Sequence, residues 1–204
     1  MVPKGIFITL EGPDGAGKST QVENIKSYFE NAGREVVVSR EPGGTPISEK
    51  LRNIVLDNGN AEMDDITEMF VYAAARAQHV SEKIRPALDK GSVVVCDRFV
   101  DSSIAYQGYG RNLGDQVGEV NRYATGGLEP DVTFFMDLDP EIGRSRIGKD
   151  ARDRLEQQKL DFHYRVYEGY KAICEKYPER VVRIDATRTI DEIKEDIYSK
   201  LEDL

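Results

Sequence analysis

Gly12-Pro13-Asp14-Gly15-Ala16-Gly17-Lys18-Ser19-Thr20 is the stretch that decides how this chain is read. It fits G-x-x-x-x-G-K-S. The apolar run Ile6-Phe7-Ile8-Thr9-Leu10 precedes it, and a segment of helical spacing follows. That strand–loop–helix setting is the context of a P-loop. Small residues let the backbone curl so that successive N–H groups face phosphate oxygens. Lys18 adds a point charge that can follow β- and γ-phosphates, and Ser19 offers a hydroxyl to Mg²⁺. The helix that opens here favours an anion at its N-terminus in any case.

Outward from the loop, a helix is expected from Lys18 to about Ala32, with Val22, Ile25 and Phe29 inward and Gly33 ending it. Val36-Val37-Val38, within Glu35 to Ser39, reads as a strand buried on both faces. It ends in Arg40-Glu41-Pro42-Gly43-Gly44-Thr45, a charged turn at a strand's carboxyl end, where open α/β sheets bind ligands. A helix over Ile47 to Leu56 and a long one from about Asp64 to Asp89 follow. The long helix carries an apolar stripe of Ile66, Met69, Phe70, Ala73, Ala77, Val80, Ile84 and Leu88. Pro86 falls in its last turn, where a kink is expected. Tyr72, Arg76 and His79 share another face. By spacing alone that face is solvated, although an aromatic one turn from a cation could also stack on a base and bond its edge.

Val93-Val94-Val95 marks a third strand, Ser92 to Cys96, ending in Asp97-Arg98. An acid there suits P-loop Mg²⁺, directly or through water, and an arginine beside it can grip phosphate in a fork. Phe99 to Gly108 mixes hydroxyls, an amide and an aromatic, which suits a polar heterocycle. A helix cap followed by a core helix would by itself explain Asp101 and Ser102, though not the rest of the stretch. Gln116 to Ala124 is a short helix before Gly126-Gly127, and Asp131 to Asp139 a fourth strand. Arg144, Arg146, Lys149, Arg152 and Arg154 then come in quick succession. A charge run is ordinarily a solvated face, but beside a triphosphate site it is a candidate lid, with a surface loop over Gly148 to Asp153. Helix Gln157 to Lys176, strand Val181 to Ile184 and helix Ile190 to Leu201, capped by Thr189 or Asp191, complete the chain.

Strands thus alternate with helices. The expected fold is α/β, a three-layer P-loop type with about five parallel strands, helices on both faces and a short basic lid. A single domain over 1–204 is expected, with the lid an excursion at about 143–156. With 204 residues and a net charge of −9, the chain is long enough for a sizeable core but poorly suited to a nucleic-acid polymer, which favours a basic face. No membrane-spanning run is found. Cys96 and Cys174 match no metal spacing and read as small hydrophobes in a reducing, cytoplasmic setting. A GTP-dependent switch lacks its N-K-x-D guanine-reading sequence here.

Four stretches in order, Glu11 to Thr20, Arg40 to Thr45, Ala75 to Val80, and Asp97 to Ser103 with Ala105 to Gly108, resemble the thymidylate kinase family. Asp153-Arg154-Leu155-Glu156, Phe162 and Arg165 match as well. The resemblance implies phosphorylation of dTMP by ATP with Mg²⁺, and a homodimer. It implies ATP on Gly12, Pro13, Asp14, Gly15, Ala16, Gly17, Lys18, Ser19 and Thr20, with Ser19 and Asp97 near the metal. Asp14 would meet the sugar 3′-hydroxyl and phosphate region of dTMP. Tyr72, where the family has Phe, would stack on thymine, and Arg76 would donate to O4. Arg98, with Arg52, would hold the monophosphate. Ser103 and Gln107 would approach the base, and Tyr106 would crowd the 2′ position. Gly15 follows Asp14, so this P-loop carries no arginine. The resemblance is to members whose lid supplies it, here Arg146 or Arg154. The nearest alternative is another small P-loop nucleoside or nucleoside-monophosphate kinase.

Overall fold

The computed structural model describes residues 4–146 and 153–204. Five strands form one parallel sheet. They are β1 (Ile6–Glu11), β2 (Val36–Arg40), β3 (Val93–Asp97), β4 (Val132–Asp137) and β5 (Val181–Asp185), in the order β2-β3-β1-β4-β5. β1 is central because its six residues are all buried, so both of its edges and both of its faces need partners. Neighbours build outward on one side through β3 and β2, and on the other through β4 and β5. The chain therefore reverses direction across the sheet at β1. Crevices at that point hold ligands in open α/β sheets, and the loop that follows β1 opens into it.

Side chains alternate across the sheet and feed two core layers. Ile6, Ile8, Leu10, Val93, Val95, Phe134 and Met136 face α1 (Lys18–Asn31) and α9 (Ile190–Leu201), meeting Val22, Ile25, Phe29, Ile193 and Ile197. Phe7, Val94 and Cys96 face the other way, onto Val80, Ile84 and Ala87. Phe135 packs on Phe162, Val166, Tyr170 and Ile173 of α8 (Leu160–Lys176). α9 starts at Thr189, whose side chain and that of Glu192 cap each other's backbone N–H reciprocally. The other α-helices among the described residues are α2 (Pro46–Leu56), α3 (Asp65–His79), α4 (Arg85–Asp89), α5 (Val100–Ser103), α6 (Gln116–Thr125) and α7 (Pro140–Arg146), and a π-helical segment, Ile104–Gly110, follows α5.

Three expectations change. β2 is an edge strand, so Val36, Val37 and Val38 are only half-buried rather than enclosed on both faces. The expected long helix is α3, a π-helical turn at Val80–Ile84 and then α4. The wider turn lies just before Pro86, which can supply no backbone N–H to a regular ladder. The faces of α3 are also partly exchanged relative to the sequence reading. Ile66 and Phe70 of the expected core stripe are 49% and 55% exposed, whereas Tyr72, Arg76 and His79, expected to face solvent, are buried. Lys149 and Arg152 lie outside the described residues, as does most of the expected surface loop.

Candidate active site

The loop after β1 is shaped by glycines that no other residue could replace without movement. Gly12 has φ +130°, and a Cβ there would sit 2.6 Å from the Met136 carbonyl oxygen. Gly15 has φ +81°, and its Cβ would lie 2.5 Å from the Gly143 carbonyl oxygen of α7. Gly17, left-handed, precedes α1 without a side-chain cap, and the first turn of α1 holds no acidic residue. Its leading N–H groups are therefore left for an anion. Lys18 is buried and donates to the carbonyls of Gly12 (3.1 Å) and Pro13 (2.9 Å). Burial and the nearby Arg98 lower its pKa, against the opposing pull of Asp14.

Asp14 joins this loop to a second set of side chains. Its Oδ1 lies 3.7 Å from Lys18 Nζ and accepts from Arg98 at 2.8 Å. Burial alone would raise the Asp14 pKa, but Arg98 and Lys18 outweigh it and hold the carboxyl below its usual range. Arg98 follows β3 with φ +70°, a conformation uncommon for any residue but glycine. Its backbone N–H donates to Leu10 O at 2.9 Å, and its guanidinium also reaches Ser102 (3.2 Å) and Tyr170 (3.1 Å). It lies 5.3 Å from the Tyr106 ring centroid.

All eight residues expected around dTMP line one cleft: Asp14, Arg52, Tyr72, Arg76, Arg98, Ser103, Tyr106 and Gln107. The cleft is open to solvent and measures about 620 Å³ with its mouth included. Its far end is built on α3 and the α5 region. Arg76 donates to Glu41 (Nε, 2.6 Å), Ser103 (2.8 Å), the Phe99 carbonyl (2.8 Å) and Asn121. Gln107 donates to Glu68 at 2.9 Å. Arg52 donates to the Pro42 carbonyl at 2.8 Å. Burial pushes the phenols of Tyr72 and Tyr106 well above their ordinary range, so both rings stay neutral.

A separate cleft beside the P-loop is lined by Ser19 and Asp97 together with Ser39 and Lys83. Asp97 Oδ1 is buried without a hydrogen-bond partner among the described residues. A carboxylate oxygen left unpaired beside a hydroxyl is a donor set for a hard cation.

The two candidate lid arginines sit differently. Arg146, at the end of α7, donates to the Gly15 carbonyl at 2.9 Å and so lies on the P-loop. Arg154 is buried and points the other way, with Nε on Val55 O (2.9 Å) and its guanidinium on Glu68 (2.6 Å). It supports the base end of the cleft rather than the P-loop.

Several site residues had no role in the sequence reading. Glu11 is fully buried and accepts from Phe99 N–H (2.7 Å) and from the hydroxyls of Ser102 and Tyr170. Burial first, then the Asp101 charge, raises its pKa to about 7 against hydrogen bonds from Ser102 and the Arg98 charge. Glu68 precedes Tyr72 by one helical turn, and extending the polar stripe backwards from Arg76 would have found it. Glu41, Asn121 and Tyr170 come from distant elements, and no local pattern marks them.

The family profile described as thymidylate kinase matches residues 10–197. A thymidylate kinase of Lactobacillus delbrueckii subsp. bulgaricus is 53% identical over 195 residues, covering 93% of this chain and 92% of that one. One from Lactobacillus helveticus is 50% identical over 204 residues, covering 98% and 96%. A crystal structure of thymidylate kinase from Ehrlichia chaffeensis matches with a TM-score of 0.81 at 32% identity, covering 98% of this chain and 99% of that one. By sequence and by fold alike, this chain belongs to the thymidylate kinase family.

Proposed function

We propose that the protein transfers the γ-phosphoryl group of ATP to the 5′-phosphate of dTMP, giving dTDP and ADP, as a step in dTTP biosynthesis. One observation carries this reading: Asp14 Oδ1 contacts both Lys18 of the P-loop and Arg98 of the second cleft. Donor and acceptor phosphates would meet at that junction. The bases would lie outward from it, thymine against Tyr72, Arg76, Ser103 and Gln107. Tyr106, beside Arg98, would exclude a 2′-hydroxyl.

The acceptor needs no strong general base. The second pKa of a phosphate monoester is about 6, so its oxygen is already ionised near neutral pH. Catalysis then rests on alignment and on charge placed where the transferring group develops it. Arg98, with Arg52, holds the acceptor. Lys18 exchanges its loop carbonyls for the β- and γ-phosphates. Arg146 reaches the same group from α7, which favours it over Arg154 as the lid arginine. The segment at about 143–156 acts as the lid, excluding water on closure. Ser19 and Asp97 would hold Mg²⁺. When bound, the metal neutralises charge on the β- and γ-oxygens.

Ile47 and Ile54 on α2 and Ile66 and Phe70 on α3 are each about half exposed. Two packed helices with an apolar outer face support a homodimer through that surface. Among the described residues no helix is long and apolar enough to cross a membrane. The ATP substrate and the unpaired Cys96 and Cys174 support a cytoplasmic setting.

ADP release tests the reading, measured with ATP, Mg²⁺ and each nucleoside monophosphate in turn. dTMP should be the preferred acceptor. Arg76→Ala should mainly loosen base choice. Arg98→Ala should lower turnover with every acceptor, on the order of 10²-fold or more. Faster turnover of dCMP or of a nucleoside by the wild type would refute it.

A further inference from the structure

Arg76 and Gln107 each carry groups that could serve several bases, and what surrounds them removes that freedom. A guanidinium has five N–H donors. Four of those on Arg76 are taken, by Glu41, Ser103, Asn121 and the Phe99 carbonyl. One N–H is left for the cleft that Arg76 lines. Gln107 is an amide whose two ends are nearly equal in shape and opposite in hydrogen-bonding sense. Its NH₂ end is turned to the fully buried Glu68 at 2.9 Å, and a carboxylate only accepts. Its carbonyl oxygen has no protein donor among the described residues and belongs to a side chain on the cleft wall. Between them, Arg76 and Gln107 therefore show the cleft one donor and one acceptor.

Both carboxylates are themselves immobilised. Glu41 Oε1 is 2.8 Å from His79 Nδ1, and His79 Nε2 is 2.7 Å from Ser39 Oγ. With the carboxylate accepting at Nδ1, a neutral ring accepts the Ser39 hydroxyl proton at Nε2. Glu68 is gripped by Arg111 at 2.8 Å and Arg154 at 2.6 Å. Glu68 is not among the residues that line the cleft, whereas Glu41 lines it beside Arg76.

We propose that Glu68 and Glu41 are positioning residues for base selection: they fix the carbonyl of Gln107 and one N–H of Arg76 toward the cleft, matching the N3–H and O4 of thymine. The inference rests on dTMP being the acceptor. Cytosine presents the opposite pair, an acceptor at N3 and an amino donor at C4, and would leave both protein groups unmatched. Uracil presents the same edge as thymine.

The test is kcat/KM for dTMP, dUMP and dCMP in wild type, Glu68→Gln, Glu68→Asp and Glu41→Gln. Gln at 68 can offer either end of its amide and so lets Gln107 turn over. Asp keeps the charge facing Arg111 and Arg154 but retracts from Gln107, which guards against a variant that fails to fold. The preference for dTMP over dCMP should fall on the order of tenfold or more in each, while the ratio of dTMP to dUMP stays constant. A general loosening of the site would move both ratios. In the wild type, without any variant, the Gln107 side-chain N–H should be protected from deuterium exchange. Folded variants at position 68 that keep the wild-type dTMP:dCMP preference, or an unprotected Gln107 amide, would overturn the proposal. A wild type indifferent between dTMP and dCMP would instead remove the substrate assignment beneath it.

Discussion

At the scale of single residues, the site is held by acids that the reaction does not consume. Glu11 is the extreme case, a carboxylate with no exposed surface whose pKa is raised to about 7 by burial and the Asp101 charge. A folded-state pKa above the unfolded one means that the native state binds the extra proton. Stability from Glu11 is then fully present below about pH 4.5 and is lost as pH rises through about 7. Glu11→Gln keeps an acceptor for the Phe99 N–H and carries no charge. The stability of wild type relative to this variant should fall between pH 5 and pH 8, read from urea unfolding at both. The comparison matters because His163, lowered to about 4 by burial and Arg144, adds a slope of opposite sign below pH 6.5 that both proteins share. A constant difference across that range would show that Glu11 stays ionised throughout.

At the scale of elements, the chain is punctuated by local chemistry that acts on its own. Thr189 and Glu192 close α9 by a reciprocal cap at an exposed helix end, remote in sequence from every cleft residue. Thr189→Ala should cost about 1 kcal/mol. For a chain of this length that is a drop of roughly 2–4 °C in Tm, with kcat and KM for dTMP unchanged. α3 behaves differently. Its period is legible in the sequence, but the choice of face is not. Arg76 and His79 point inward because Glu41, Ser39, Ser103 and Asn121 supply partners there. Burying a guanidinium without them would be prohibitive.

At the scale of the whole molecule, the face that α3 gives up becomes the question. Ile66 and Phe70 with Ile47 and Ile54 leave an apolar surface on two adjoining helices, opposite in character to the acidic remainder. If two copies meet there, sedimentation should give twice the chain mass for the wild type. Phe70→Glu and Ile66→Glu, which place charge in that surface, should shift it toward one copy and lower the thermal midpoint. A wild type that sediments as a single chain would leave the patch without its proposed partner.

The eight side chains that line the second cleft were named by the family resemblance; from local sequence alone came the P-loop, the order of strands and helices and the cap on α9. These are local or motif-borne, set by backbone sterics, spacing and turn chemistry. Tertiary structure alone decided that β2 lies at the edge, which face of α3 turns inward, and that Arg146 and not Arg154 lies on the P-loop. It also supplied Glu11, Glu41 and Glu68 as anchors. Each of those depends on pairing a buried charge with a partner far away in the chain, from Glu11 to Tyr170 at the widest. No periodicity carries such a pairing, because its energy exists only once the partners have been brought together.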